Sequence, residues 1–425
     1  MGILLYIINN ILSQAAFVIG LVVVVGMLAQ KKSGEKIIAS AFKAMIGFTL
    51  INTAGQSLGM ALLPLQTMYT KIFGLTMDKV DINSAIPEGL AGIGMEMAII
   101  FALGFLMNIV IARLTKFKYV HLSPHVSFFY AGLIAALLKY GTGFNTIMII
   151  VVGSIILGIY LTASCAYVAP WMKTVKGGEG FTLGHSSSVG ILISSLLARA
   201  LGNKDKDLEA TNFPKRLNFL REMTIALSIV MTLLFMVSCL LAGPAWISEN
   251  VSGGRDFVTY SLQNGIVFGM WITVIITGVR MMVGEIIPAF HGFADKIIPN
   301  AMPGLDIPLL FPNYPVSVIV GFLSSLVAGF LGMWILAALK YPIIVFPALI
   351  PTFFTGAITA IFGNANGGRR GAVIGSFVNG LILIFGQAFL LPMVGSYQAI
   401  MRILAETDYA FYGPLLGYLL KLAGL

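Results

Sequence analysis

The sequence predicts an all-α polytopic membrane protein of about eleven transmembrane helices, ten of them forming two inverted five-helix repeats with re-entrant hairpins. Three observations predict this. Hydrophobic residues make up 58% of the chain and charged residues 10%, more apolar surface than a water-soluble globule can hide. The apolar residues fall in runs long enough to cross a hydrocarbon layer of about 30 Å. The third is a repeat. Asp306-Ile-Pro-Leu-Leu-Phe-Pro312 shares its Asp-Ile-x4-Pro pattern with Asp81-Ile-Asn-Ser-Ala-Ile-Pro87, 225 residues earlier. The same offset carries Lys71-Ile72 onto Lys296-Ile297, Gly104-Phe-Leu106 onto Gly329-Phe-Leu331, and Phe128-Phe129 onto Phe353-Phe354.

The predicted spans are 4–29, 37–60, 88–112, 119–139, 144–169, 222–243, 258–283, 313–339, 342–363, 372–395 and 409–424. Five spans (1–169) make the first repeat and five (222–395) the second, with a connection at 170–221 and a last span in 396–425. Because five is odd, the second copy enters the membrane from the opposite side. Lys31, Lys32 and Lys36 follow the first span, Arg113, Lys116 and Lys118 the third, and Arg369 and Arg370 the ninth. Eight basic residues lie in 170–221, whereas the alternate loops carry little beyond Lys139, Arg255, Lys340 and Arg402. This bias places the N-terminus outside and the C-terminus inside. The segments 61–87 and 286–312 are too apolar for plain loops and are broken by Pro64, Pro288, Pro299 and Pro303. They read as re-entrant hairpins, which are tolerable only where protein or a water-filled cavity satisfies their backbone groups. The run ending at Leu201 is short for a span and reads as a partial insertion.

The formal charge of +9 would suggest nucleic acid in a soluble domain, but here the basic residues border apolar spans and face lipid headgroups instead. Cys165 and Cys239 lie inside apolar runs, so no disulfide framework or metal cluster is expected, and no cofactor motif is present. The run from Ile3 to Ala29 has no basic n-region and reads as a retained helix rather than a cleaved signal. Inverted repeats with interrupted segments point to a transporter whose substrate site lies between the halves. No catalytic triad, zinc motif or paired catalytic carboxylates are visible.

An ionisable residue inside a membrane segment is costly enough that a role is expected. Four histidines occur, at 121, 125, 185 and 291. His125 follows Ser123-Pro124 in the fourth span, where the proline is expected to bend the helix, and it reads either as a substrate contact or as an interhelical hydrogen bond. His185 precedes three serines at a predicted helix start, offering donors to a polyhydroxylated or anionic ligand; the alternative is an N-cap. Asp306 suits sugar hydroxyls, or else caps hairpin amides or pairs with Lys296; Asp81 is a second candidate in the first hairpin. Arg280 and Glu285 read as an ion pair. Gly363-Asn-Ala-Asn-Gly-Gly-Arg-Arg370 lacks the ending of a phosphate loop and reads as a cytoplasmic turn.

Four stretches resemble the membrane (IIC) subunit of the bacterial phosphotransferase system, ascorbate branch of the ascorbate/galactitol superfamily. They are Gly180-Phe-Thr-Leu-Gly-His185, Thr277-Gly-Val-Arg-Met-Met-Val-Gly-Glu285, Ile298-Pro-Asn-Ala-Met-Pro-Gly-Leu-Asp306 and Ile350-Pro-Thr-Phe-Phe-Thr-Gly-Ala-Ile-Thr-Ala-Ile-Phe-Gly-Asn364. The resemblance implies a homodimer in the bacterial inner membrane, a core moving against a scaffold as an elevator, and phosphate transfer to the sugar from a separate IIB subunit supplied by IIA. The phosphoryl donor site would then lie on IIB, not on this chain. Carried across by position, the resemblance assigns the substrate to His125, His185 and Asp306, which match. It also assigns Phe129 and Ser186, which replace glutamines, and Ile82-Asn83, which replace a Thr-Tyr pair. These departures allow a substrate other than ascorbate, such as galactitol. The competing class is an ion-coupled secondary transporter using Asp81 or Asp306.

Overall fold

The computed structural model describes residues 15–74, 87–211, 216, 219, 222–343 and 345–424. Among the described residues each predicted span overlaps a helix or one arm of a helix, residues 4–14 of the first span lying outside them. They are α1 (Ala15–Ala29), α2 (Gly34–Phe73), α3 (Gly94–Leu114), α4 (Pro124–Gly141), α5 (Thr146–Met172), α7 (Met223–Ala242), α9 (Phe257–Ile297), α10 (Pro315–Ala338), the two arms of α11 (Leu349–Leu390) and α13 (Thr407–Leu422). Between them lie α6 (Ser188–Leu201), α8 (Pro244–Asn250) and α12 (Gln398–Leu404). By length and composition, seven of the described helices can cross a membrane. Outward-facing stripes recur at every fourth residue, as in Ile147, Val151, Ile155 and Ile159 of α5, so large apolar side chains stay exposed where a soluble protein would bury them.

Several boundaries differ from the expectation, each for a physical reason. The 40-residue α2 runs straight through Pro64, and the 41-residue α9 through Pro288, so each first hairpin arm continues the preceding helix. Gln30 of the α1 end donates to the Pro288 carbonyl at 2.6 Å, tying that part of α9 to its neighbour. The bounds of α2 and α9 differ by close to the 225-residue offset of the sequence repeat. Pro124 occupies the first turn of α4, where a proline suits the helix start, so it opens the helix instead of bending it. The ninth span becomes helical only at Leu349. Asp81, Ile82 and Asn83 lie outside the described residues.

At Gly367 and Gly368, the latter at φ +59°, α11 folds back on itself. A Cβ on Gly363 would stand 2.4 Å from the Gly371 carbonyl, and Asn379 donates to Thr355 at 2.8 Å, so both pairs are centred on the turn. This is the predicted Gly-Asn-rich turn. It is anchored, since Asn364 accepts from the Leu208 amide at 2.8 Å and Asn366 donates to Thr174 at 3.1 Å.

Helices meet through small residues. A Cβ on Gly47 or Gly278 would lie 2.7 Å from the other's carbonyl oxygen, and Gly321 and Gly356 meet similarly at 2.2 and 2.7 Å. In lipid, helix association depends on such close approach.

The helical count omits one feature. Strands β1 (Tyr119–His121), β2 (Thr182–Leu183) and β3 (Met302–Leu305) form a parallel sheet with β3 in the middle. Gly321→Val should force α10 and α11 apart at a cost of about 1–3 kcal/mol. A lowered thermal midpoint in detergent, with Leu323→Val on the lipid-facing side nearly silent, is the expected outcome.

Candidate functional site

The three strands of the sheet end on one side. Immediately beyond them stand His125 in the first turn of α4, His185 two residues after β2, and Asp306 directly after β3. Pairing fixes this convergence. Leu122 N–H donates to Gly304 O at 2.7 Å and Gly184 N–H to Leu305 O at 2.8 Å, so the chain around β3 is held from both sides. Gly184 and Gly304 permit the approach: a Cβ on Gly184 would sit 2.7 Å from Gly304 O, and one on Gly304 2.5 Å from Cys165 Sγ.

Asp306 is 2% exposed and lies between two imidazoles. Its Oδ2 is 3.5 Å from His125 Nε2 and its Oδ1 3.6 Å from His185 Nε2. It also accepts from the Ile307 amide at 2.8 Å, capping a short 3-10 turn (Ile307–Leu309). The capping reading of this residue therefore holds, but Lys296 is not its partner: Lys296 donates to Ala29 O. Glu285 pairs with Lys43 of α2 at 3.5 Å rather than with Arg280. His121 is buried against Ser127 at 3.1 Å, and His291 is exposed.

The His185-Ser-Ser-Ser turn departs from the expected anion-binding helix start. The amides of Ser188 and Val189 that would face a ligand are taken by Asp408, at 3.1 and 2.8 Å, and the Ser188 hydroxyl also donates to it. Tyr160 donates to the same carboxylate at 2.8 Å. The N-cap of α6 thus comes from a residue 220 positions away. Ser186 faces Glu406, to whose Oε2 it donates, and His185 Nδ1 lies 3.4 Å from that oxygen.

A cavity of about 130 Å³ opens beside these groups. His125, Phe129, His185, Asp306 and Glu406 line it, as do Asn52 and Gln56 from α2 and Phe354 from α11. Of the residues predicted for the site, His125, His185, Asp306 and Phe129 therefore come together at one cavity, with Ser186 behind Glu406. A smaller cavity of about 70 Å³ shares Gly59, Ile350 and Ile403 with it and adds Gln66, Gln387 and Arg402. His125, His185 and Asp306 place their ligand atoms within 4.8 Å of one another, spacing that is also able to hold a metal ion and that no sequence motif suggested.

Sequence reading missed Asn52, Gln56, Glu406 and Asp408. A signal existed for the last two: they are acidic residues directly before an apolar run, the same pattern that singled out Asp306. The amides four residues apart in an apolar helix were a fainter one.

A multi-pass helical protein that gathers imidazoles and carboxylates around a cavity of this size belongs to the class of membrane permeases. Residues 10–408 match the family EIIC-GAT, described as the PTS system sugar-specific permease component, and the chain belongs to that family. It is also 24% identical to the "Ascorbate-specific PTS system EIIC component" of Mycoplasma pneumoniae, over 94% of this chain and 68% of that protein. Family membership implies a sugar substrate and the IIB and IIA subunits as partners.

Asp408→Ala removes the cap of α6 and leaves two amides and a tyrosine hydroxyl unpaired. It should cost at least about 2 kcal/mol. Thermal unfolding in detergent checks this, and an unchanged midpoint would show that α6 does not depend on Asp408.

Proposed function

We propose that this protein is a phosphotransferase-system IIC permease that binds a sugar or sugar acid, with L-ascorbate the first candidate, in the cavity between His125, His185 and Asp306. The observation that carries the reading is a buried carboxylate bracketed by two imidazoles at 3.5 and 3.6 Å. Such a set both accepts from and donates to adjacent hydroxyls, which a polyhydroxylated ring or chain presents. Phe129 gives an apolar wall for the carbon face. Ascorbate is favoured by the specificity for which the Mycoplasma pneumoniae relative is named. Galactitol or another polyol is the second reading, favoured by Phe129 and Ser186 standing where the ascorbate branch has glutamines.

Substrate enters from outside, the core moves inward as an elevator against a scaffold, and a phosphorylated IIB subunit transfers its phosphate to the substrate on the cytoplasmic side. Phosphorylation then prevents return. Basic residues of the 170–221 connection and Arg369-Arg370 attract this partner, acting mainly on the encounter rate. The two halves are inverted copies, the N-terminus lies outside and the C-terminus inside, and two chains form the working homodimer in the bacterial inner membrane.

Asp306→Asn should weaken substrate binding about tenfold or more, as expected for losing charged hydrogen bonds worth about 1.5–3 kcal/mol each. Uptake into vesicles should require phosphorylated IIB. Accumulation by vesicles carrying this protein alone, driven by a proton or sodium gradient, would refute the coupling and establish the secondary transporter instead.

A further inference from the structure

His125, His185 and Asp306 stand close together around a gap that they do not bridge by hydrogen bonds. A charge-assisted hydrogen bond between an imidazole and a carboxylate spans about 2.7–2.9 Å. His125 Nε2 is 3.5 Å from Asp306 Oδ2, and His185 Nε2 is 3.6 Å from Asp306 Oδ1, too far for such bonds. Those separations fit a different geometry. Donors bound about 2.0–2.2 Å from one tetrahedral ion stand about 3.3–3.6 Å from each other.

The two rings are aimed accordingly. Nδ1 of His185 is 2.9 Å from Ser187 Oγ and 3.4 Å from Glu406 Oε2, so its other nitrogen, Nε2, is presented to the gap. A hydroxyl or carboxylate behind the far nitrogen is the usual support of a metal-binding histidine, because it fixes ring orientation and tautomer together. Nδ1 of His125 is buried with no hydrogen-bond partner among the described residues, so no bond at that nitrogen explains why Nε2 faces Asp306. The backbone beneath is set in advance, since β3, which leads directly into Asp306, is paired with β1 on one edge and β2 on the other. All three donors lie within 4.8 Å of one another. The His125 side chain, 22% exposed and lining the cavity, has room to close on an ion.

Charge favours the same occupant. The cavity lining holds the carboxyls of Asp306 and Glu406 and, among the described residues, no lysine or arginine. A buried carboxylate without a fixed cation is costly, and a divalent ion supplies one. The donor set then selects the ion. Mg2+ and Ca2+ take oxygen ligands, whereas two imidazoles beside one carboxylate suit first-row transition ions such as Zn2+. The cavity of about 130 Å³ leaves a coordination position open to water or a small ligand.

We infer that His125, His185 and Asp306 form a binding site for one divalent transition-metal ion of the Zn2+ class, with Ser187 and Glu406 as positioning residues behind His185. Metal binding itself goes beyond the permease reading and does not need it. One consequence does rest on that reading: the ion takes the groups that would meet sugar hydroxyls, so Zn2+ and sugar exclude each other here.

The test uses the full chain, purified without a histidine tag, in lipid nanodiscs, with Zn2+, Co2+ and Mg2+ as probes and no sugar present. Titration of Zn2+ against a competing chelator should give about one ion per chain, which excess Mg2+ does not displace. Co2+ should give a visible absorption band of a low-coordinate site, and Zn2+ should abolish it. His125→Gln, His185→Gln and Asp306→Asn should each weaken Zn2+ binding by more than about tenfold, and Ser187→Ala by about tenfold, as loss of an outer support does. His291→Ala, at an exposed position of α9, should bind as the wild type does. Thermal unfolding of each metal-free variant separates loss of the site from loss of the fold, and His125→Gln, on the accessible side, decides if the buried variants unfold. No saturable Zn2+ binding to the folded wild type, or equal binding by wild type and His125→Gln, overturns the inference. Failure of the permease reading shows separately, as absence of sugar uptake with phosphorylated IIB present, while the sugar-free titration still decides the metal site. Where uptake occurs, Zn2+ should inhibit it in competition with sugar, and uptake untouched by saturating Zn2+ places the ion elsewhere and overturns the assignment.

Discussion

Pairing of β3 on both edges is the interaction on which the site depends. A strand of four residues in an otherwise helical protein contributes little hydrophobic burial of its own, yet its backbone is read from two sides by segments that lie far apart in the chain. Backbone groups in a low-dielectric interior cannot remain unpaired, so once the extended return after α9 enters the protein it must find a ladder. β1 and β2 supply it. All three strands run the same way and are followed within four residues by His125, His185 and Asp306, so one set of hydrogen bonds fixes the depth of the three together. Rotamer freedom of the three side chains is limited in turn by the carboxylate they share.

The arrangement has an electrostatic logic. Two acids and two imidazoles stand in one continuous chain of contacts, from His125 through Asp306 and His185 to Glu406. A charged ligand entering such a cluster would change its charge balance, whereas a neutral one would change only its contacts.

Much of the architecture was legible in the sequence because hydrophobic length is a strong signal. Among the described residues every predicted span overlaps a helix or one arm of a helix, and the Gly-Asn-rich segment ending at Arg370 is a turn. Boundaries failed at Pro64, Pro124 and Pro288, where proline was read as an interruption although it either opens a helix or is tolerated within a long one. The sheet was illegible for a different reason: strands of two to four residues carry no periodicity, and their pairing is wholly non-local. Of the site, the two imidazoles and Asp306 stood out because charge in an apolar run is rare. Asn52 and Gln56 did not, since uncharged amides are cheap enough to pass as packing. Glu406 and Asp408 carry the same acidic signal as Asp306, but they lie outside the 225-residue repeat, so no second copy reinforces it.

The remote cap on α6 also orders events during synthesis. The turn holding His185 is made first, and the carboxylate that completes the helix start belongs to residue 408, 220 positions after Ser188. Until then the amides of Ser188 and Val189 must be served by water or by the translocation machinery. A nascent chain cut short before α13 would keep an open helix end beside a half-built polar cleft, a defect that membrane proteases can recognise long before any transport is attempted.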